Sequence, residues 1–184
     1  DTWLDLAKKI EDSGADSLAI KDMAGLLRPF DAFDLVKNLK ESLSIPIHMQ
    51  THATTGMSTA TNMKAIEAGI DNIDTSISSL SMTYGHTATE TMLAIFEGQD
   101  REINLDLNAL EEVSDFFKEI REKYSEFEGG LKGVDSTMLV KQVPGGMLSN
   151  LETQLKANRQ EDKIDIFKED KPTSRNEDGK PRHV

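Results

Sequence analysis

Two stretches of this chain share one local grammar. Gly14-Ala15-Asp16-Ser17-Leu18 and Gly69-Ile70-Asp71-Asn72-Ile73 each follow an amphipathic run and precede a β-rich one. A further candidate strand, Ile45 to His52, lies between them, so three strands recur at roughly 27-residue intervals with helical pattern in between. Such βα repetition restricts the chain to a parallel sheet with right-handed crossovers. Helices are predicted over residues 2–13, 30–43, 58–68, 88–97 and 108–124. Leu6 and Ile10 mark one face of the first, which stops at Gly14, a suitable C′ residue. Phe33, Val36, Leu39 and Leu43 form the stripe of the second, and Met63 and Ile66 that of the third, which stops at Gly69. The fourth ends at Gly98. The fifth carries Leu110, Val113, Phe117, Ile120 and Tyr124, with Asn108 as its expected N-cap. Three strands cannot close a (β/α)8 barrel, which takes eight strands and about 250 residues. The sheet is therefore either small and open or the back end of a larger barrel.

Composition removes several classes of function. The chain has 184 residues, no cysteine and a net charge of −12. Disulfides and thiolate metal sites are excluded, and a nucleic-acid binder would need a basic face. No apolar stretch approaches the roughly 20 residues that span a bilayer, and no secretory signal is visible. The chain opens on Asp1 inside a helical pattern, which predicts a fragment or a processed chain. From about Glu161 the pattern decays, and residues 168–184 are polar enough to predict a disordered or poorly packed tail.

Strand tips carry the chemistry-bearing residues. Lys21 ends the run Leu18-Ala19-Ile20 and is followed by Asp22-Met23-Ala24-Gly25, which puts an amine at the C-terminal end of a strand. In parallel α/β sheets that edge holds the active site; a solvated loop lysine is the plainer reading. If Leu18 and Ile20 face covering helices, alternation turns Ser17, Ala19 and Lys21 the other way. On the second strand, alternation groups His48, Gln50 and His52 against Ile45, Ile47 and Met49. Two imidazoles on one strand face can chelate a divalent ion, or can satisfy interior hydrogen bonds. On the third strand, predicted over residues 72–77, Asn72, Asp74 and Ser76 share the polar face. Polar groups at all three tips exceed what an ordinary core tolerates, because unpaired buried polar groups are costly. Further on, Val143-Pro144-Gly145-Gly146-Met147-Leu148-Ser149-Asn150 places a Pro-Gly-Gly turn before a helix. Gly145 and Gly146 would let a ligand approach the backbone closely, or the turn is ordinary and Ser149 or Asn150 caps the helix. His86, in Tyr84-Gly85-His86, is read as the start of the next helix rather than as part of a site.

Taken together, these motifs resemble the biotin-dependent carboxyltransferase family of pyruvate carboxylase, transcarboxylase and oxaloacetate decarboxylase. The resemblance runs through Ile20-Lys21-Asp22-Met23-Ala24-Gly25-Leu26-Leu27, Gln50-Thr51-His52-Ala53-Thr54-Thr55-Gly56 and Lys64-Ala65-Ile66-Glu67-Ala68-Gly69. It continues through Asp74-Thr75-Ser76-Ile77-Ser78-Ser79 and Gln142 to Leu151, and covers roughly residues 1–165. Within the family, residues 54–61 and 81–90 are most similar to the oxaloacetate decarboxylase α-subunit, with pyruvate carboxylase of the two-subunit type close behind.

The resemblance implies an α/β fold, a partial TIM (β/α)8 barrel. Residues 1–100 would supply strands six to eight, residues 101–165 the start of an α-helical extension with the Pro-Gly-Gly-Met block, and residues 166–184 a disordered tail. It implies transfer of a carboxyl group between oxaloacetate and biotin, with pyruvate as the other product or substrate. Lys21 would be the carboxylated, metal-bridging lysine, His52 a metal ligand, and Ser149 the hydroxyl that shuttles a proton between pyruvate enolate and biotin. Gly145 and Gly146 would lie at the substrate. The cofactors implied are biotin, on a carrier domain elsewhere, and a divalent metal (Zn, Mn or Co). The partners implied are that biotinyl carrier domain and the membrane β and γ subunits of a sodium-pumping decarboxylase. The parent would be a homo-oligomer, cytoplasmic and membrane-associated only through its partner subunits.

Two departures qualify the likeness. Gln50 stands where the family's His-x-His has its first histidine, and an amide oxygen is a weaker ligand than imidazole for zinc-like ions. His48 sits on the same face but about 7 Å back along the strand. The family's aspartate ligand would lie upstream of Asp1, so weak or absent metal binding is expected of the isolated chain. The alternatives are a metal-dependent acyl-CoA lyase or synthase of the same superfamily, and a non-catalytic remnant that scaffolds a complex.

Overall fold

The computed structural model of the protein describes residues 2–99, 103–141, 150 and 153–158. Helix α1 (Thr2–Asp12) leads into strand β1 (Leu18–Asp22), followed by α2 (Pro29–Ser42), β2 (Ile47–Thr51), α3 (Ser58–Glu67) and β3 (Asn72–Ile73). Then come α4 (Thr89–Phe96), α5 (Leu107–Lys123) and a short α6 (Met138–Lys141). The three strands form one parallel sheet in the order β1-β2-β3. This is the α/β architecture that the repeat predicts.

Register fixes the two faces of the sheet. Leu18 pairs with Ile47, Ile20 with Met49 and Lys21 with Gln50. Ile47 and Met49 are fully buried and pack with Ala7, Val36, Leu39, Ala65 and Ile70, with Leu18 and Ile20 against that cluster. One face is therefore the helix-covered core, and Ala19, Lys21, His48 and Gln50 lie on the other.

Several boundaries and faces differ from expectation. Strand β2 begins at Ile47, after Pro46, and ends at Thr51. Strand β3 is two residues long instead of running to Ile77. Asp74 still donates its amide to Met49 O (2.9 Å), but Ser76 then leaves β2 and bridges to Ala88. In α1 the core-facing side chain is Ala7, with Leu4 beside it, while Leu6 is exposed. In α3 the fully buried positions are Ser58, Thr61, Asn62 and Ala65, while Ile66 of the predicted stripe packs half-buried against the core and Met63 is half-buried. Asp106, not Asn108, caps α5, accepting from the amides of Asn108 (2.8 Å) and Ala109 (3.3 Å). Both residue types cap well, and the carboxylate two positions earlier takes the role. On α5, Val113 and Tyr124 are exposed; Ser114 and Arg121 instead fasten the helix to the Ser78–Leu80 turn. The tail at 166–184 and the helical extension beyond 158 lie outside the described residues.

Candidate active site at the strand tips

Asp22 organises the end of β1. Its carboxylate accepts from the amides of Leu26 and Leu27 and from the hydroxyl of Thr51, each at 2.9 Å. Asp22 and Thr51 are register partners, so this last bond ties the tips of β1 and β2 together. The turn then returns so tightly that a Cβ on Gly25 would stand 2.4 Å from the carbonyl oxygen of His52, and Gly25 itself has φ +67°. Only glycine meets both conditions. The Thr55 hydroxyl closes the turn by donating to Gly25 O.

That frame sets Lys21 and Gln50 side by side on the sheet face opposite the core. Lys21 is exposed and Gln50 half-buried. His52 follows one residue past β2, and its amide donates to Asp22 O at 3.0 Å. The three sequence-predicted residues thus meet on one edge of the sheet. His48, one pleat below, pairs in register with Asn72 and lies 3.3 Å from its amide nitrogen. Ser149, Gly145 and Gly146 fall outside the described residues.

The loop after β3 completes the arrangement. His52 Nδ1 lies 2.7 Å from the backbone oxygen of Tyr84. A carbonyl oxygen only accepts, so Nδ1 carries a proton, and of the two ring nitrogens only Nε2 can offer a lone pair. The His86 ring lies against the His52 ring, with centroids 4.5 Å apart and planes inclined by 41°. His86 Nδ1 is 3.2 Å from Ser76 Oγ. Burial, and then the neighbouring His52 imidazole, hold His86 below the ordinary histidine range; Lys21 adds to this and Asp74 opposes it. His86 thus packs on His52 three residues before α4 begins, and does not itself start that helix. This corrects the sequence reading. The signal available was Ser76, already on the polar face, but nothing in the sequence brings residue 86 back to residue 76.

The donor set fits part of a divalent-metal site. His52 offers one imidazole nitrogen fixed by a backbone carbonyl, as ligating histidines commonly are. Gln50 offers an amide oxygen, and Lys21 offers an amine that becomes an oxygen ligand only when carboxylated. Among the described residues no group of three or more His, Asp and Glu is gathered in a way that could hold an ion. An open cleft of about 420 Å³ lies elsewhere, between Ser78, Ser79 and α5. Its Arg121 already donates to Ser79 O (2.7 Å) and pairs with Glu128, so that guanidinium is committed to structure.

Known proteins share this fold and much of this sequence. The family described as HMGL-like matches residues 1–117. A pyruvate carboxylase subunit of Methanocaldococcus jannaschii is 43% identical over 182 residues, which is 98% of this chain and 32% of that protein. The methylmalonyl-CoA carboxyltransferase 5S subunit of Propionibacterium freudenreichii subsp. shermanii is 44% identical over 181 residues, 97% of this chain and 36% of that protein. The carboxyl transferase domain of Rhizobium etli pyruvate carboxylase, solved with pyruvate, superposes with a TM-score of 0.85 at 34% identity, covering 90% of this chain and 28% of that one. The chain thus spans about a third of the length of the curated relatives it matches.

Proposed function

Because this chain belongs to the HMGL-like family, we propose that it forms part of a biotin-dependent carboxyltransferase that moves a carboxyl group between oxaloacetate and biotin, with pyruvate on the other side of the reaction. In this reading β1, β2 and β3 are strands six to eight of a (β/α)8 barrel, and the face bearing Lys21 and Gln50 looks into its interior. The reading rests above all on one observation: Lys21 and Gln50 are register partners at the strand tips, and His52 stands next to them with its Nδ1 engaged by the Tyr84 carbonyl.

The chain's own groups divide the work. Lys21, carboxylated on its amine, and His52 Nε2 hold a divalent ion (Zn, Mn or Co), with Gln50 as a weak additional donor. When bound, the ion supplies Lewis acidity for enolate charge. Ser149 Oγ both donates and accepts, which suits it to pass a proton between pyruvate enolate and biotin. The Gly145-Gly146 backbone lets substrate approach closely. Biotin arrives on a carrier domain.

The oxaloacetate decarboxylase α-subunit is one candidate parent, on the similarity of residues 54–61 and 81–90. A pyruvate carboxylase of the two-subunit type is an equal reading, supported by the name and identity of the Methanocaldococcus relative. In the first case the protein is cytoplasmic and joined to membrane β and γ subunits. Among the described residues no helix is long and apolar enough to cross a membrane.

The test is carboxyl transfer from labelled oxaloacetate to free biotin by the whole protein that carries this sequence. Lys21→Ala and His52→Ala are each expected to lower the rate at least 100-fold, about 2.7 kcal/mol of barrier. Turnover by both variants at the wild-type rate would sink the reading.

A further inference from the structure

The loop from Ser81 to His86 is built at a conformational cost. Met82 and Thr83 have φ of 60° and 48°, in the left-handed region that side chains disfavour. Residues held there are costly and persist where the surroundings over-determine them. Here Met82 donates its amide to His86 O (2.7 Å), and Ala53 donates to Gly85 O (2.8 Å). A Cβ on Gly85 would meet Leu80 O at 2.7 Å. The folded loop delivers two things to one place: the Tyr84 carbonyl onto His52 Nδ1, and the His86 ring beside the His52 ring.

His86 is placed like His52, with a hydroxyl that can donate or accept in place of the carbonyl. Its Nδ1 faces the Ser76 hydroxyl, and its Nε2 is buried with no hydrogen-bond partner. A buried ring nitrogen without a partner is costly, and it points to something that occupies the position. The neighbouring His52 ring points to what. An imidazole nitrogen binds a divalent ion at about 2.1 Å, so the ring centre lies about 3.2 Å from the ion, and two rings stand about 5.2 Å apart at the tetrahedral angle and about 4.6 Å apart at the right angle of a five-coordinate site. The observed separation is 4.5 Å.

We propose that His86 is a metal ligand, its Nε2 joining His52 Nε2 on one divalent ion and supplying the second imidazole that Gln50 does not. This rests on the carboxyltransferase reading for the role of His52. The loop after β3, rather than β2, then provides the second nitrogen. Metal binding by this protein is correspondingly stronger than Gln50 alone would suggest.

Pulsed EPR of the whole protein loaded with one equivalent of Cu(II) counts the imidazoles on the ion. Two are expected in the wild type, and one in each of His86→Gln and His52→Gln. Calorimetric titration with Co(II) should show at least tenfold weaker binding by His86→Gln. One imidazole in the wild type, kept in His86→Gln and lost in His52→Gln, would overturn the role of His86 and leave the carboxyltransferase reading standing. Two imidazoles that survive His86→Gln would overturn it equally. No imidazole on the ion in the wild type would overturn both. The wild-type count requires no variant to fold.

Discussion

Asp22 accepts two backbone amides and one hydroxyl at the tip of β1, and through Thr51 it reaches β2. Its neighbour Lys21 is the amine proposed above to be carboxylated, and Asp22 sets where the chain turns beside it. Hydrogen bonds to a charged acceptor are the stronger kind, and losing the acceptor leaves the Leu26 and Leu27 amides without their partner. Asp22→Ala is therefore expected to cost about 2 kcal/mol, read as a lower urea midpoint at an unchanged slope. A loss below about 0.5 kcal/mol would show that the turn holds without it. The sequence makes Lys21, Gln50 and His52 visible because strand alternation needs only parity, and parity survives errors at strand ends. It leaves Asp22 unnoticed, since a carboxylate that ties a turn looks like any other in an acidic chain. His86 is hidden for a different reason: its placement depends on left-handed residues at Met82 and Thr83, for which neither residue type has a preference.

Among the elements, the connection from α3 into β3 carries the most telling polar contact. Both carboxylate oxygens of Asp71 lie 2.8 Å from Lys40 Nζ on α2, and one also accepts from the amide of Ile47 at 2.8 Å. The Lys40 ammonium first, and then the Ile47 amide, hold the Asp71 carboxyl below the ordinary aspartate range. A carboxylate whose folded value lies below its unfolded one stabilises the fold above the unfolded value, about 3.9, and loses that contribution as pH falls through the folded value. Asp71→Asn should thus lower the Tm at pH 7, and its gap from wild type should narrow as pH falls below about 4. A gap that stays constant with pH would contradict this latch. Element types and order are legible because Gly14 and Gly69 stop helices at the expected places, with φ of 88° and 93°. Length is less so in β3, where pairing stops once Ser76 turns to Ala88. Inward faces are misjudged where neighbours are polar or small: periodicity cannot reveal that α3 buries Asn62 and Thr61 while Val113 of α5 stays exposed.

For the whole molecule, the exposed apolar side chains matter most. Trp3 and Leu6 on α1, Phe116 and Val113 on α5, and Phe127 beyond it are all open to solvent. So is the sheet face that bears Ala19 and Lys21. Parallel sheets are ordinarily covered on both faces, and an unpaired strand edge invites association. These 184 residues expressed alone should sediment as more than a monomer or bind a hydrophobic dye. A monomer that melts in one cooperative transition would contradict that expectation. In a complete barrel the same face would be enclosed, which is what gives Lys21 and His52 a common cavity. The most direct measurement of that shared cavity is anomalous diffraction from crystals of the whole protein grown with Co(II). One ion is expected about 2.1 Å from His52 Nε2, with the modified Lys21 amine on its other side. An ion bound elsewhere, with Lys21 unmodified and turned away from His52, would contradict it.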